Sequence, residues 1–327
     1  MLPDAMYYLY WRYWKVRAVI NDIKKSNIPF YSPSDVKKPQ LDLYLPSTQE
    51  TELVPVIFFI YGGSWSSGSK LMYTLVADTL RKQGYLVVVP DYRKYPEVKI
   101  EQIYEDVAQA LVWTHKNVKK YGGNPSRISV MGHSAGAHLG VQIILNDILR
   151  KMSSQTPMAD TIALPPIHNL ILLSGVYDID QHFLWESYRG VEEVSGMGRV
   201  MGLTKTRFDS NSPTFILKSI SSWNDHKKRQ FMDQLPATLI IHGELDHTVP
   251  DSSAKNFHQA LSEILYDTER NPSYKFLLYP DMNHADPVFG NHLQQYICHS
   301  IGSFDVNRIL FHIYIHFSLD AFLVELP

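Results

Sequence analysis

The stretch RISVMGHSAG, from Arg127 to Gly136, decides the fold that this sequence predicts. It begins as an apolar run of β-strand type and ends in the pattern Gly-x-Ser-x-Gly. The next residues, Ala135 to Leu149, have apolar side chains at helical spacing. A serine between a strand and a helix, flanked by residues without a Cβ, is typical of a nucleophile held on a sharp turn. We therefore predict that Ser134 is a catalytic nucleophile.

Away from this stretch, short apolar runs alternate with longer helical patterns. The predicted strands are Val54 to Tyr61, Tyr85 to Pro90, Arg127 to Met131, Asn169 to Ser174, Ala237 to His242 and Tyr274 to Tyr279. The predicted helices are Ser69 to Gln83, Ile100 to Tyr121, Ala135 to Leu149, Ser253 to Leu265 and Gly290 to Ser300. This alternation predicts an α/β fold in which a mostly parallel central sheet is flanked by helices. Leu41 to Leu45 alternates in polarity and is expected to be an antiparallel edge strand.

One segment breaks the alternation. Residues Gln181 to Lys218 are polar, glycine-containing and aromatic without a clear strand, so we predict a small lid inserted before the penultimate core strand. A plain surface excursion is the alternative. The predicted organisation is an aromatic N-terminal segment at 1–30, a catalytic domain at 31–300 with its lid at about 181–218, and a C-terminal tail of unclear role at 301–327.

Composition excludes several classes of function. The 327 residues carry 31 Lys and Arg against 33 Asp and Glu, a formal net charge of −2, which argues against a nucleic-acid partner. The single cysteine, Cys298, cannot form an internal disulfide, and no cluster of Cys and His has the spacing of a zinc site. We therefore expect a catalytic domain in a reducing compartment that needs no metal and no organic cofactor.

The N-terminus is rich in aromatic rings. Tyr7 to Trp14 is followed by Lys15 and Arg17, a combination typical of segments at a membrane interface. We predict a peripheral membrane contact there, and a helix packed over the core is the alternative. The segment lacks the apolar run and the cleavage site of a signal peptide. Ile309 to Leu326 is interrupted by His and acidic residues and is a poor membrane span.

A serine nucleophile needs a base and a group that orients the base. Asp246 follows the strand at Ala237 to His242, and Glu244 in the same loop is the rival acid. His284 follows the last predicted strand, where the base is expected, and His247 and His292 are weaker substitutes. The chain order Ser134, Asp246, His284 is the order that such folds use.

The same chemistry needs hydrogen-bond donors for the oxyanion. A glycine-containing loop, YGGSW from Tyr61 to Trp65, directly follows the first long apolar strand and is the expected position for such donors. Tyr61 stands where this motif usually has His, which should alter how the loop is held. The candidate oxyanion and substrate-binding residues are Gly62, Gly63, Ser64, His133 and Ala135.

These residues resemble the α/β-hydrolase superfamily and, within it, the isoprenylcysteine α-carbonyl methylesterases. The motifs that carry the resemblance are Leu41 to Pro46, Pro90 to Arg93, Tyr121 to Pro125, Met131 to His138 and Arg189 to Ser195. The resemblance implies a prenylated cysteine methyl ester as substrate and an endoplasmic reticulum or Golgi membrane location facing the cytosol, with a cytoplasmic location as the alternative. The family commonly carries Gln where this chain has His133.

Two other functions stay open at this point. Gly132 to Leu139 and Ser174 to Asp178 also resemble kynurenine formamidase. Some α/β-hydrolase folds are non-catalytic binding proteins, since a fold does not fix a function. For a prenyl substrate we expect an apolar groove near the lid, with Phe183, Leu184, Trp185 and Tyr188 as its candidate lining.

Overall fold

An eight-stranded sheet forms the centre of the computed structural model, which describes residues 24–31, 38–46, 52–153, 162–265 and 273–289. The strands are β1 Lys24–Pro29, β2 Gln40–Tyr44, β3 Val54–Ile60, β4 Leu86–Pro90, β5 Gly123–His133, β6 Asn169–Leu173, β7 Ala237–Gly243 and β8 Tyr274–Tyr279. Their order is β1-β2-β4-β3-β5-β6-β7-β8, and every pair from β4 to β8 is parallel. Strands β3, β4 and β6 are almost wholly buried because helices cover both faces of a parallel sheet. The predicted α/β-hydrolase fold class is confirmed.

The expected edge strand needs a correction. β2 is antiparallel to β4, as predicted, but β1 pairs with its other side, so β2 is the second strand of the sheet. The polar sequence of β1 gave no strand signal. Strand β1 is held against β2 by an ion pair of 2.6 Å between Lys24 Nζ and the buried Asp42 carboxylate. β1 therefore joins the sheet through a contact with Asp42, which no local sequence pattern encodes.

Helices connect the parallel strands where the sequence predicts them. They are α1 Thr74–Lys82, preceded by a 3₁₀ turn at Lys70–Tyr73, α2 Ile100–Asn117, followed by a 3₁₀ turn at Val118–Tyr121, α3 Ala135–Met152 and α9 Ser252–Ser262. A short helix, α10 Asp286–Phe289, follows β8. None of the helices in the described ranges is long and apolar enough to cross a membrane. The expectations for Tyr7 to Trp14, Gly290 to Ser300 and Ile309 to Leu326 lie outside the described residues.

The segment between β6 and β7 is helical and extends beyond the predicted lid at both ends. It contains α4 Ile179–Tyr188, α5 Met197–Met201, α6 Lys205–Ser210, α7 Pro213–Ser221 and α8 Asp225–Met232. The side chains of Asp178, Thr204 and Asn224 accept N–H groups at the starts of three of these helices. The two strands that this insertion separates in sequence are hydrogen-bonded neighbours in the sheet.

Candidate active site

Ser134 occupies a strained turn between β5 and α3. Its backbone has φ 55° and ψ −123°, a conformation that costs a residue with a side chain of order 1–3 kcal/mol. The turn leaves no room for side chains around it: a Cβ added to Gly132 would lie 2.4 Å from the Gly136 carbonyl oxygen, and one added to Gly136 would lie 2.1 Å from that of Ile60. The Ser134 N–H donates to the Leu173 carbonyl at the end of β6. The sheet therefore imposes the conformation of the serine.

Asp246 and His284 are joined by a short hydrogen bond. His284 Nδ1 donates to Asp246 Oδ2 at 2.7 Å, while the other carboxylate oxygen accepts the N–H groups of Thr248 and Val249 at 3.0 and 2.8 Å. Burial favours the neutral acid, but the hydrogen bond and charge of His284 outweigh it and lower the pKa of Asp246. With Nδ1 protonated, His284 Nε2 has a free lone pair and can accept a proton.

The loops that carry this pair are tied to each other. The N–H of Glu244 donates to the Tyr279 carbonyl, and the N–H of Leu245 donates to the Met282 carbonyl. A Cβ added to Gly243 would lie 1.9 Å from the Met282 carbonyl oxygen, so only glycine allows this approach of the two loops. The backbone thus fixes the distance between Asp246 and His284.

Two of the rival residues, Glu244 and His247, lie in the same loop as Asp246. Glu244 and His247 are exposed, whereas Asp246 is buried. His292 lies outside the described residues. Of the candidates considered from sequence for the acid and the base, the structure brings together Asp246 and His284.

His133 faces inward, behind the nucleophile. It is 3% exposed, and burial lowers its pKa to about 3, so the ring is neutral. Its Nε2 donates to the His284 carbonyl at 2.9 Å, which assigns the other nitrogen as the acceptor of the Tyr73 hydroxyl at 3.4 Å. That hydroxyl in turn accepts the Gly62 N–H at 3.3 Å. This chain of hydrogen bonds joins the glycine loop, the turn from Gly132 to Gly136 that carries Ser134 (the elbow), and the loop that carries His284.

The glycine loop lies against the elbow. A Cβ on Gly62 would lie 2.9 Å from Ser134 Cβ, and the next three residues, Gly63, Ser64 and Trp65, have φ values of 143°, 49° and 57°. Within the described residues, no hydrogen bond uses the N–H of Gly63 or Ser64. Their amides are therefore available as oxyanion donors. Ala135 adds a third, because the first N–H groups of a helix have no partner inside it.

Tyr61 anchors this loop from behind. Its hydroxyl donates to Asp91 at 2.6 Å, and its carbonyl accepts the hydroxyl of Tyr92 at 2.9 Å, while the two rings stack with centroids 4.6 Å apart. Burial raises the pKa of Tyr61, which keeps the phenol protonated and able to donate. Tyr61 thus holds the glycine loop through its hydrogen bond to the Asp91 carboxylate.

Trp65 links the glycine loop to the insertion. Its indole N–H donates to His138 Nδ1 at 3.2 Å, and His138 Nε2 donates to the Asn211 carbonyl at 2.8 Å. His138 is fully buried, and burial lowers its pKa to about 4, so it stays neutral and can serve both partners. One imidazole of α3 therefore connects the glycine loop with the residue that directly follows α6.

A cavity of about 420 Å³ lies between α4 and the start of α9. Leu184, Trp185, Tyr188 and Pro250 supply its apolar wall, and the polar lining residues are Asp178, Gln181, His182, Ser252, Ser253 and Asn256. The Trp185 indole N–H lies 3.4 Å from the carbonyl of His247, the residue after Asp246. Three of the four residues expected from sequence thus line this cavity. Phe183, the fourth, packs against Phe208 instead.

Two residues of the site gave no sequence signal. Tyr73 lies in a 3₁₀ turn before α1, and His242 lies at the end of β7, where sequence periodicity indicates only a strand residue. Both reach the site through the fold, so no local spacing could identify them. No group of His, Cys, Asp or Glu within the described ranges is arranged to hold a metal ion.

The mostly parallel sheet, with a strained serine turn after β5 and the Asp246–His284 pair after β7 and β8, has the α/β-hydrolase fold. The sequence model of the BD-FAE family matches residues 41–261. The chain belongs to the BD-FAE family.

Curated relatives are similar over most of the chain. A probable isoprenylcysteine alpha-carbonyl methylesterase of Oryza sativa is 30% identical over 227 residues, which are 68% of this chain and 50% of the relative. The kynurenine formamidase of Drosophila melanogaster is 25% identical over 246 residues, 74% of this chain and 70% of the relative. The chain spans about half the length of the methylesterases it matches. The resemblance to that family is confirmed, at low identity.

Solved structures match the fold. Esterase B from Lactobacillus rhamnosis superposes with a TM-score of 0.66 at 17% identity, over 93% of this chain and 94% of that one. Carboxyl esterase 2 from Tuber melanosporum gives 0.60 at 19% identity, over 82% and 79%. At such identities the likeness shows the fold alone.

Proposed function

We propose that the chain is a serine carboxylesterase in which Ser134 is the nucleophile, His284 the general base and Asp246 the orienting acid. The observation that carries this proposal is the 2.7 Å bond between Asp246 and His284. The carbonyl of His284 accepts Nε2–H of His133, the residue before the strained Ser134, which supports the same assignment. The esterases among the similar proteins support it.

In the proposed acylation step, Ser134 Oγ attacks the ester carbonyl carbon while His284 Nε2 takes the hydroxyl proton. The negative charge that develops on the carbonyl oxygen is met by the amides of Gly63, Ser64 and Ala135. The protonated His284 is stabilised by Asp246 and then gives its proton to the leaving alcohol. Water, deprotonated by the same nitrogen, cleaves the acyl-enzyme and restores the serine.

The first test is Ser134→Ala measured on a p-nitrophenyl ester. We expect kcat to fall by several orders of magnitude with an unchanged melting temperature, because the residue's backbone role remains. The wild-type chain should be labelled at Ser134 by a fluorophosphonate probe. Correctly folded protein that resists labelling would instead indicate a non-catalytic binding protein.

For the substrate, we propose the methyl ester of a prenylated cysteine. The similarity to the plant methylesterases supports this choice, and so does the cavity beside the acid loop, whose apolar wall suits an isoprenoid chain. Two of the polar lining groups are already bonded within the protein: Ser253 Oγ contacts Gly175 and Tyr177, and Asp178 accepts an N–H of its own helix. Ligand recognition there would rest mainly on apolar contact. The membrane location and the contact through the N-terminal segment stay predictions.

Trp185→Ala tests the place of the prenyl chain. We expect KM for a farnesylcysteine methyl ester to rise by about tenfold or more, since a buried aromatic contact is lost, while kcat/KM for p-nitrophenyl acetate changes little. Trp223→Ala is the matched control, because Trp223 lies in the same insertion outside the cavity lining, against Lys227. If Trp185→Ala lowered kcat/KM equally for both substrates, the prenyl chain would not bind in this cavity.

Kynurenine formamidase is the second candidate. The observations that favour it are the GHSAGAHL sequence at Gly132 to Leu139 and the similarity to the Drosophila enzyme. An assay of farnesylcysteine methyl ester beside N-formylkynurenine separates the two. A higher kcat/KM on the formamide would replace our choice of substrate and leave the Ser134 chemistry in place.

A further inference from the structure

A second histidine lies against the acid of the site. His242, at the carboxyl end of β7, is fully buried, and its Nε2 lies 3.4 Å from Asp246 Oδ2, the same oxygen that receives the bond from His284. The same Nε2 lies 2.9 Å from the Val249 carbonyl oxygen. Asp246 Oδ1 accepts the N–H of Val249, so these three residues form a closed ring of contacts.

The partners fix the protons of His242. A carbonyl oxygen only accepts, so Nε2 carries the hydrogen and donates it to Val249, while the Asp246 carboxylate lies 3.4 Å from the same nitrogen. Nδ1 is buried and has no hydrogen-bond partner within the described residues. Protonation of Nδ1 would bury a donor without an acceptor, which disfavours the charged ring. His242 is therefore a neutral donor and does not compete with His284 as a base.

We propose that His242 is a positioning residue for the catalytic carboxylate. Its Nε2–H holds the Val249 carbonyl and sets the positive end of an N–H dipole 3.4 Å from Asp246 Oδ2. A carboxylate whose charge is partly offset by this dipole is a weaker partner for the imidazolium that forms on His284 during turnover.

The charged and titratable groups around His242 agree with this role. Asp246 and Asp251 face it from the loop and helix that follow β7, and His284 faces it from the loop after β8. Beyond His284 lies His133 from the elbow, itself neutral. Burial lowers the pKa of His242 in spite of the two carboxylates. Asp246 therefore contacts two histidines, of which His284 alone has a geometry suited to take up a proton during turnover.

The test compares His242→Phe with His242→Gln in the full chain, on p-nitrophenyl butyrate. Phe keeps the ring volume and loses the donor, whereas the Gln amide reaches about as far as Nε2 and keeps one. For His242→Phe we expect kcat/KM at pH 7 to fall about tenfold and its acid limb to move to higher pH, because Asp246 becomes a stronger partner for the imidazolium of His284. His242→Gln should keep both values close to those of the wild type.

A merely structural role predicts a different pattern. If His242→Phe lowers the melting temperature and leaves the acid limb in place, or if both variants shift the limb equally, the proposal is wrong. Should the Phe variant fail to fold, His242→Asn provides the second comparison, since its shorter amide cannot reach Asp246 and should reproduce the shift. The readout depends on the Ser134 chemistry and on an activated ester, so it is independent of the natural substrate.

Discussion

Asp246→Asn should abolish most activity, because each oxygen of the Asp246 carboxylate accepts its own hydrogen bonds. In the native site Oδ1 accepts two backbone N–H groups, from Thr248 and Val249, and Oδ2 accepts His284 Nδ1–H. An Asn side chain has one oxygen, and the two backbone donors hold it at the Oδ1 position. Its NH₂ group then faces His284 Nδ1 and forces that nitrogen to become an acceptor. The proton moves to Nε2, where the lone pair is needed to receive the proton of Ser134.

The magnitude follows from the loss of the productive tautomer and of the charge that stabilises the imidazolium. A substitution of this kind costs about 10³–10⁴-fold in kcat, equivalent to about 4–5.5 kcal/mol of barrier. The assay is kcat/KM on p-nitrophenyl butyrate from pH 5 to 9, with circular dichroism and thermal melts to show that the variant is folded.

Glu244→Gln is the matched control, two residues away in the same loop and exposed. It should stay within threefold of the wild type. The reasoning would be refuted if folded Asp246→Asn kept activity within tenfold, and the reverse ranking of the two variants would transfer the orienting role to Glu244.

Three further predictions concern the scaffold of the site. Gly136→Ala places a methyl group 2.1 Å from a β3 carbonyl oxygen and should cost about 3 kcal/mol or more in urea unfolding; a smaller loss would contradict the tight approach. His133 has a folded-state pKa of about 3 against about 6.5 unfolded, so its contribution to stability is lost as the pH falls from 6.5 toward 3. His133→Gln keeps a donor for the His284 carbonyl and should flatten the pH dependence of unfolding there by up to about 1.4 kcal/mol per pH unit; an unchanged slope would show that His133 is charged in the fold. Trp65→Phe leaves a buried nitrogen of His138 without its donor and should destabilise the fold by about 1–3 kcal/mol, measured by urea unfolding, and no loss would argue against that bond.

The sequence was most informative where local pattern and fold agree. The runs at β3, β4 and β6 are apolar because both faces of the central sheet are covered, so their strands could be predicted within one residue. The order of Ser134, Asp246 and His284 follows from the same topology, since the loops after parallel strands meet at one edge of the sheet.

Other elements depend on contacts that no local pattern encodes. β1 is a polar segment held by the buried Asp42, and the insertion consists of helices of five to ten residues, too short to show a clear periodicity. His242 and Tyr73 belong to the site through tertiary contacts alone. A single sequence therefore singles out Ser134, Asp246 and His284 as candidates, but not the groups that contact them.

The bond from His138 to the Asn211 carbonyl has a consequence for protein engineering. Because β6 and β7 pair directly, the insertion between them could be exchanged for that of a relative without cutting the sheet. The exchange should keep a backbone acceptor at the place of Asn211, because His138 bonds both to that carbonyl and to Trp65 in the glycine loop. A chimera that keeps this acceptor should retain its esterase rate while changing its substrate range. One that lacks it would lose rate on every ester.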